Sequence, residues 1–158
     1  MIPDSLATQP IFLCVDDTMV AKAGTRFENV SKLFDHAAHN GSNYLNGHCF
    51  VSIMLCIPVW KNDRVSYLSL PLGYRMWQKK ESKLELAASM IRQVMPEFQE
   101  KKQVIILCDS WYTKQTLVSI VDEYQNLDLI GNARIDSVMY DPAPAYTGRR
   151  GRPAKHGK

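Results

Sequence analysis

Residues 12–20 read FLCVDDTMV, an apolar run that stops at two adjacent aspartates, Asp16 and Asp17. Residues 104–113, VIILCDSWYT, repeat the pattern with Asp109. A short run that is apolar on both faces fits a buried, central strand. Two such strands, each ending in acid, predict one site at the ends of two neighbouring strands. If the strands run parallel, the doublet and Asp109 emerge together at their carboxyl ends.

Working outward from these runs gives the rest of the order. Ile11 to Val15 is the first strand, and a segment around FENVSKLFDHAAHNG holds a short helix. HCFVSIMLCI, from His48 to Ile57, reads as a long second strand closed by Pro58. Lys61 to Asp63 supplies a hairpin turn, and RVSYLSLPLGYRMW alternates as a third strand antiparallel to the second. Ser82 caps a helix whose stripe is Leu84, Ala87, Ala88, Ile91, Val94 and Met95, and Pro96 ends it. Gln103 to Cys108 is the fourth strand, Thr113 caps a second helix to about Tyr124, and LDLIGNARI carries a fifth. The expected fold is α/β, a mixed five-stranded sheet in the order β-β-β-α-β-α-β with helices on its faces. A doubly wound nucleotide binder would alternate strand and helix from the start.

The bulk numbers fit one domain with a real core: 158 residues, 46% hydrophobic and 22% charged. Residues 1–10 form a lead-in, 11–140 the core and 141–158 a tail. The net charge is +3, but TGRRGRPAKHGK, residues 147–158, holds five basic residues and no acid. Such a segment suits an anionic polymer as well as it suits solvent. Cys14, Cys49, Cys56 and Cys108 form no CxxC pair, and the simplest account is free thiols in a reducing cytoplasm. The longest apolar run, Cys49 to Pro58, is too short to cross a membrane.

Clustered carboxylates repel one another unless a cation neutralises them. Hard oxygen donors suit Mg²⁺ or Mn²⁺. Two such ions, about 4 Å apart, can activate an attacking oxygen and stabilise the leaving oxygen of a phosphodiester. A single Asp after a strand is an ordinary turn or cap residue. The doublet, a second strand-end acid and this element order together set the case apart.

With these residues in view, the chain resembles the catalytic core of a DDE transposase of bacterial insertion sequences, which has a ribonuclease H-like fold. VDDT resembles the family's first catalytic aspartate, followed two residues on by Ser or Thr, a pattern that favours Asp16 over Asp17 while both stay candidates. LCDSWYT resembles the second, giving Asp109, and FDHAAHNGSNYLNGHCFVSIML resembles the link between first and second strands. The resemblance implies metal-dependent cleavage of double-stranded DNA at transposon ends and strand transfer into target DNA. It implies Mg²⁺ or Mn²⁺, two ions in a complete site, with Asp16 and Asp109 as ligands. It also implies a homo-oligomer when full length, in the cytoplasm at the nucleoid and off the membrane. The family's third acid is a Glu on a later helix, beyond an insertion and near a Tyr-Arg-Glu-Lys signature. The acids after Asp109 are Asp122, Glu123, Asp128, Asp136 and Asp141, none in that context. The chain therefore reads as a truncated copy, inactive or severely impaired by itself.

Basic residues extend the DNA reading. Arg134, in GNARID, stands where related transposases place a base toward DNA. Arg149, Arg150, Arg152 and Lys155 belong to the tail, whose RGRP resembles the core of an AT-hook. Lys22 could face a phosphate, although surface lysines are ordinary. Trp60, Trp77 and Trp111 could stack on bases, but packing roles fit at least two of them. His36, His39, His48 and Cys49 have no closed zinc spacing, and His48 and Cys49 would point to opposite faces of a strand.

Two other readings compete. A phosphoacceptor receiver domain also has an acidic doublet after its first strand, but its next acid comes one βα unit later, and here a hairpin intervenes. A non-catalytic DNA-binding remnant would keep the basic tail without the chemistry.

Overall fold

The computed structural model describes residues 9–24, 26–35, 43–98, 102–138, 140–145, 148, 155 and 157. Six strands form one mixed sheet: β1 (Ile11–Ala21), β2 (Ser31–Phe34), β3 (Tyr44–Lys61), β4 (Arg64–Met76), β5 (Val104–Cys108) and β6 (Leu127–Gly131). Helices α1 (Lys83–Val94) and α2 (Gln115–Val118) complete it, each continued by a short 3₁₀ turn. The spatial order is β2-β3-β1-β5-β6, with β4 also paired to β3. The β1–β3, β2–β3 and β3–β4 pairs are antiparallel, and β1–β5 and β5–β6 are parallel. This is the ribonuclease H-like α/β arrangement expected from the sequence, with one strand more.

The extra strand is β2. SKLF was expected within a helical stretch, yet Ser31–Phe34 pairs with Tyr44–Gly47. Four residues carry too little periodicity to distinguish the two states, and the open edge of β3 decides. His36 and His39 lie outside the described residues.

β1 is also longer than its apolar run. It continues to Ala21 because β3 supplies a partner throughout, from Phe12↔Cys56 to Ala21↔Gly47. Its pairing with β5 stops at Val15↔Cys108. The aspartate doublet therefore sits inside β1, at the place where the parallel neighbour ends. β3 likewise runs past Pro58. The last residue of β3 paired with β1 is Cys56, so one flank is unpaired at Pro58 and a missing N–H is tolerated. Asn62 and Asp63, with φ of 51° and 57°, make the two-residue turn into β4 that twisted hairpins favour.

The core lies between one sheet face and the helices. Leu13, Val51, Ile53, Val104 and Ile106 are fully buried there against Ile91, Leu117 and Ile120. Burying each large aliphatic chain stabilises the fold by about 1.5–3 kcal/mol. Ser82 caps α1 as expected. Its hydroxyl accepts the Glu85 N–H at 3.1 Å while the Glu85 carboxylate accepts the Ser82 N–H at 2.9 Å. This capping box fixes Lys83 as the first helical residue. The second helix departs from expectation: Lys114, not Thr113, precedes it, and α helix gives way to 3₁₀ at Ser119. The Thr113 hydroxyl instead donates to the Asp109 carbonyl at 3.0 Å.

Candidate active site where β1 and β5 part

Beyond the last registered pair, Val15↔Cys108, the next residues are Asp16 and Asp109. Neighbouring strands lie about 4.8 Å apart, so the two aspartates leave the β1–β5 seam side by side. Strand alternation separates the doublet. Val15 is buried under the helices and Asp16 is exposed. Asp17 turns back toward the helix side, where its carboxylate meets Lys83 of α1.

All three aspartates border one cleft of about 700 Å³. Lys32, Lys83 and Arg134 add positive charge to its lining, and Trp77 and Trp111 add aromatic surface.

The carboxylates differ in what they already hold. Asp17 Oδ2 takes the Lys83 ammonium at 2.7 Å and the Cys49 thiol at 3.3 Å. Its Oδ1 takes the Tyr112 hydroxyl at 3.1 Å. Asp16 Oδ1 accepts the Asp17 N–H at 2.8 Å. Asp109 Oδ1 accepts the N–H groups of Trp111 at 3.0 Å and Tyr112 at 3.2 Å, an Asx-type turn. Among the described residues, Oδ2 of both Asp16 and Asp109 carries no hydrogen bond.

Three groups around Asp17 have shifted titration: Tyr112, Lys83 and Cys49. Burial pushes the Tyr112 phenol far above its ordinary pKa, and the Asp17 charge and hydrogen bond push the same way, so it remains a donor. Burial works against charge on Lys83, but the hydrogen bond and charge of Asp17 outweigh it and raise its pKa. Burial, helped by Asp17, pushes the Cys49 thiol up to about 11. Lys83 and Lys114 stand 5.1 and 4.5 Å from the Trp111 ring centroid, which fixes that indole against the cleft.

The donors present suit a divalent metal. Mg²⁺ keeps several waters and is held through one or two carboxylates together with substrate phosphate. Two exposed carboxylates with an oxygen each to spare fit that habit. Among the described residues, no three His, Cys, Asp or Glu side chains converge as a closed cage. His48 and Cys49 diverge as expected, the imidazole toward the Glu28 carbonyl at 2.8 Å and the thiol toward Asp17.

Arg134 reaches the cleft, with its guanidinium forked onto Asp136 by two 2.9 Å bonds. Arg149, Arg150 and Arg152 lie outside the described residues. Lys155 is exposed and does not line the cleft. Lys22 stands over the Phe27 ring at 5.7 Å, and Trp60 is 53% exposed on β3, away from the cleft. Of the later acids, none lines the cleft: Glu123 pairs with Arg92 and Asp128 with Gln103.

Sequence reasoning missed Lys83 and Tyr112. Lys83 reads as an ordinary polar helix start after Ser82. Tyr112 lies three residues past Asp109, a spacing that could have marked it as part of that turn. Among the described residues, no helix is long and apolar enough to cross a membrane. In comparison with known families, residues 2–158 match the model described as DDE superfamily endonuclease. No curated protein matches the chain.

Proposed function

The chain belongs to the DDE superfamily endonucleases, and on that premise we propose that it is a transposase catalytic core acting on double-stranded DNA at insertion-sequence ends. Its reaction is phosphodiester cleavage followed by strand transfer. The observation that carries this reading is the adjacency of Asp16 and Asp109 at the end of the β1–β5 seam, each with a carboxylate oxygen unengaged among the described residues.

Asp16 and Asp109 are the residues that would hold the metal. When bound, Mg²⁺ or Mn²⁺ supplies activation of water or a DNA 3′ hydroxyl and stabilisation of the leaving oxygen. The chain itself contributes binding and orientation. Arg134 meets a backbone phosphate after exchanging Asp136 for it, and Lys32 adds to the same cationic wall. Trp111, with the Lys83 and Lys114 ammonium groups beside its ring, adds aromatic surface to the same wall. The basic residues Arg149, Arg150, Arg152 and Lys155 extend the contact along the duplex, at the nucleoid. The reading includes a homo-oligomer, two ions and a further acid beside Asp16 and Asp109. Among the described residues, these two carboxylates alone keep an oxygen unengaged in the cleft, and on this reading the activity is severely impaired.

The test is Mn²⁺-dependent nicking of transposon-end duplex by the native chain and by Asp109→Asn. Weak nicking that Asp109→Asn abolishes supports the reading. DNA binding without nicking, unchanged by Asp109→Asn, would make the chain a non-catalytic DNA-binding remnant.

A further inference from the structure

The doublet poses a choice between two adjacent carboxylates, and the geometry divides them by role. We infer that Asp17 is a positioning residue rather than a ligand: with Lys83 and Tyr112 it forms a brace that holds Asp16 and Asp109 in place for the ion. This rests on the functional reading above and deepens it.

Three observations carry the assignment. First, both oxygens of Asp17 are engaged, one by a cation at 2.7 Å and a thiol, the other by a phenol. A divalent ion there would have to displace an ammonium ion already neutralising the charge. Second, the brace spans the seam. Tyr112 donates its hydroxyl to Asp17 in β1 and its backbone N–H to Asp109 after β5. One residue thus ties the middle of β1 to the end of β5 just past the level where their direct pairing stops. Third, the brace is sheltered while the ligand pair is open. The Lys83 and Asp17 side chains are 20% and 16% exposed, and Tyr112 only 1%, whereas Asp16 and Asp109 are exposed. The helix cap at Ser82 sets the Lys83 position, so α1 takes part in the alignment of the site. Outer partners of metal ligands commonly act in this way, fixing a ligand's orientation without touching the ion.

The experiment uses the folded chain with Mn²⁺ as probe, followed by calorimetric titration and by residue-resolved amide exchange without metal. Asp16→Asn is expected to remove Mn²⁺ binding and to leave exchange of the Trp111 and Tyr112 amides unchanged. Tyr112→Phe and Asp17→Asn are expected to keep the bound ion but weaken it about tenfold, and to speed exchange of those two amides. Lys83→Met should follow them and Lys83→Arg should restore both readouts. Tyr112→Phe loses a single hydroxyl, so it carries the test if Asp17→Asn does not fold. Loss of binding in Asp17→Asn equal to that in Asp16→Asn, with exchange unmoved, would make Asp17 a ligand and overturn the inference. Unchanged affinity and unchanged exchange in Tyr112→Phe would overturn it too. A native chain that binds no Mn²⁺ would end the metal reading instead, and the exchange arm alone would then decide the brace.

Discussion

The Tyr112 hydroxyl donates to Asp17 at 3.1 Å across 95 residues of chain. The same tyrosine gives its amide to Asp109. The acidic stretch inside β1 and the acid after β5 are thus joined by one nearly inaccessible residue, and its hydroxyl link has a measurable stability. A hydrogen bond to a charged, largely buried acceptor contributes about 1.5–3 kcal/mol. Tyr112→Phe should therefore lower the melting temperature by about 4–10 °C in a domain of this size. A double-mutant cycle with Lys83→Met should be non-additive, because both residues share Asp17.

Alkaline pH should weaken the fold through the same cluster. The Tyr112 phenol has its pKa raised in the fold, while an unfolded tyrosine ionises near pH 10. Unfolding therefore gains as pH rises past about 10. Lys83 has the same sign. Its raised pKa makes a contribution that is full below the unfolded value of about 10.4 and is lost as pH climbs through the folded one. Thermal melts should thus drop steeply above about pH 10 in the native chain, and less steeply in Tyr112→Phe.

Gly47 should accept no side chain. It pairs with Ala21 of β1 on one side and Ser31 of β2 on the other, and a Cβ there would collide with the Val20 carbonyl. Backbone cannot move aside as a flexible side chain can. Gly47→Ala should cost about 1–3 kcal/mol, read as a shift in urea midpoint, and loosen β2 first.

Arg134 and Asp136 should act in opposite directions on DNA affinity. The guanidinium is held by Asp136 in an exposed fork. Arg134→Ala should weaken duplex binding and reduce the slope of log K against log salt by about 0.9 for the one phosphate lost. Asp136→Asn should free the arginine and tighten binding. Fluorescence anisotropy over a salt series reads both.

Much of the fold was legible because its signals are local. The Asn62–Asp63 turn, the Ser82–Glu85 capping box and the doubly apolar Val104–Cys108 run each declare themselves within a few residues. β2 was not legible, since four residues become a strand only beside the open edge of β3. The length of β1 was hidden for a related reason: its apolar run stops at Val15, but its antiparallel partner does not. At the site, the sequence marked three aspartates and Arg134, and the structure brings all four to one cleft. The sequence's Asp-x-Thr pattern favoured Asp16, but it could not mark what Asp17 does. That depends on Lys83, 66 residues from Asp17, and on which face each aspartate meets.

The central claim is that Asp16 and Asp109 share one divalent ion, and Mn²⁺ titration of the native chain beside Asp16→Asn and Asp109→Asn tests it most directly. The account predicts saturable binding in the native chain that either substitution abolishes. Binding that survives both substitutions, or is absent from the native chain, would contradict it.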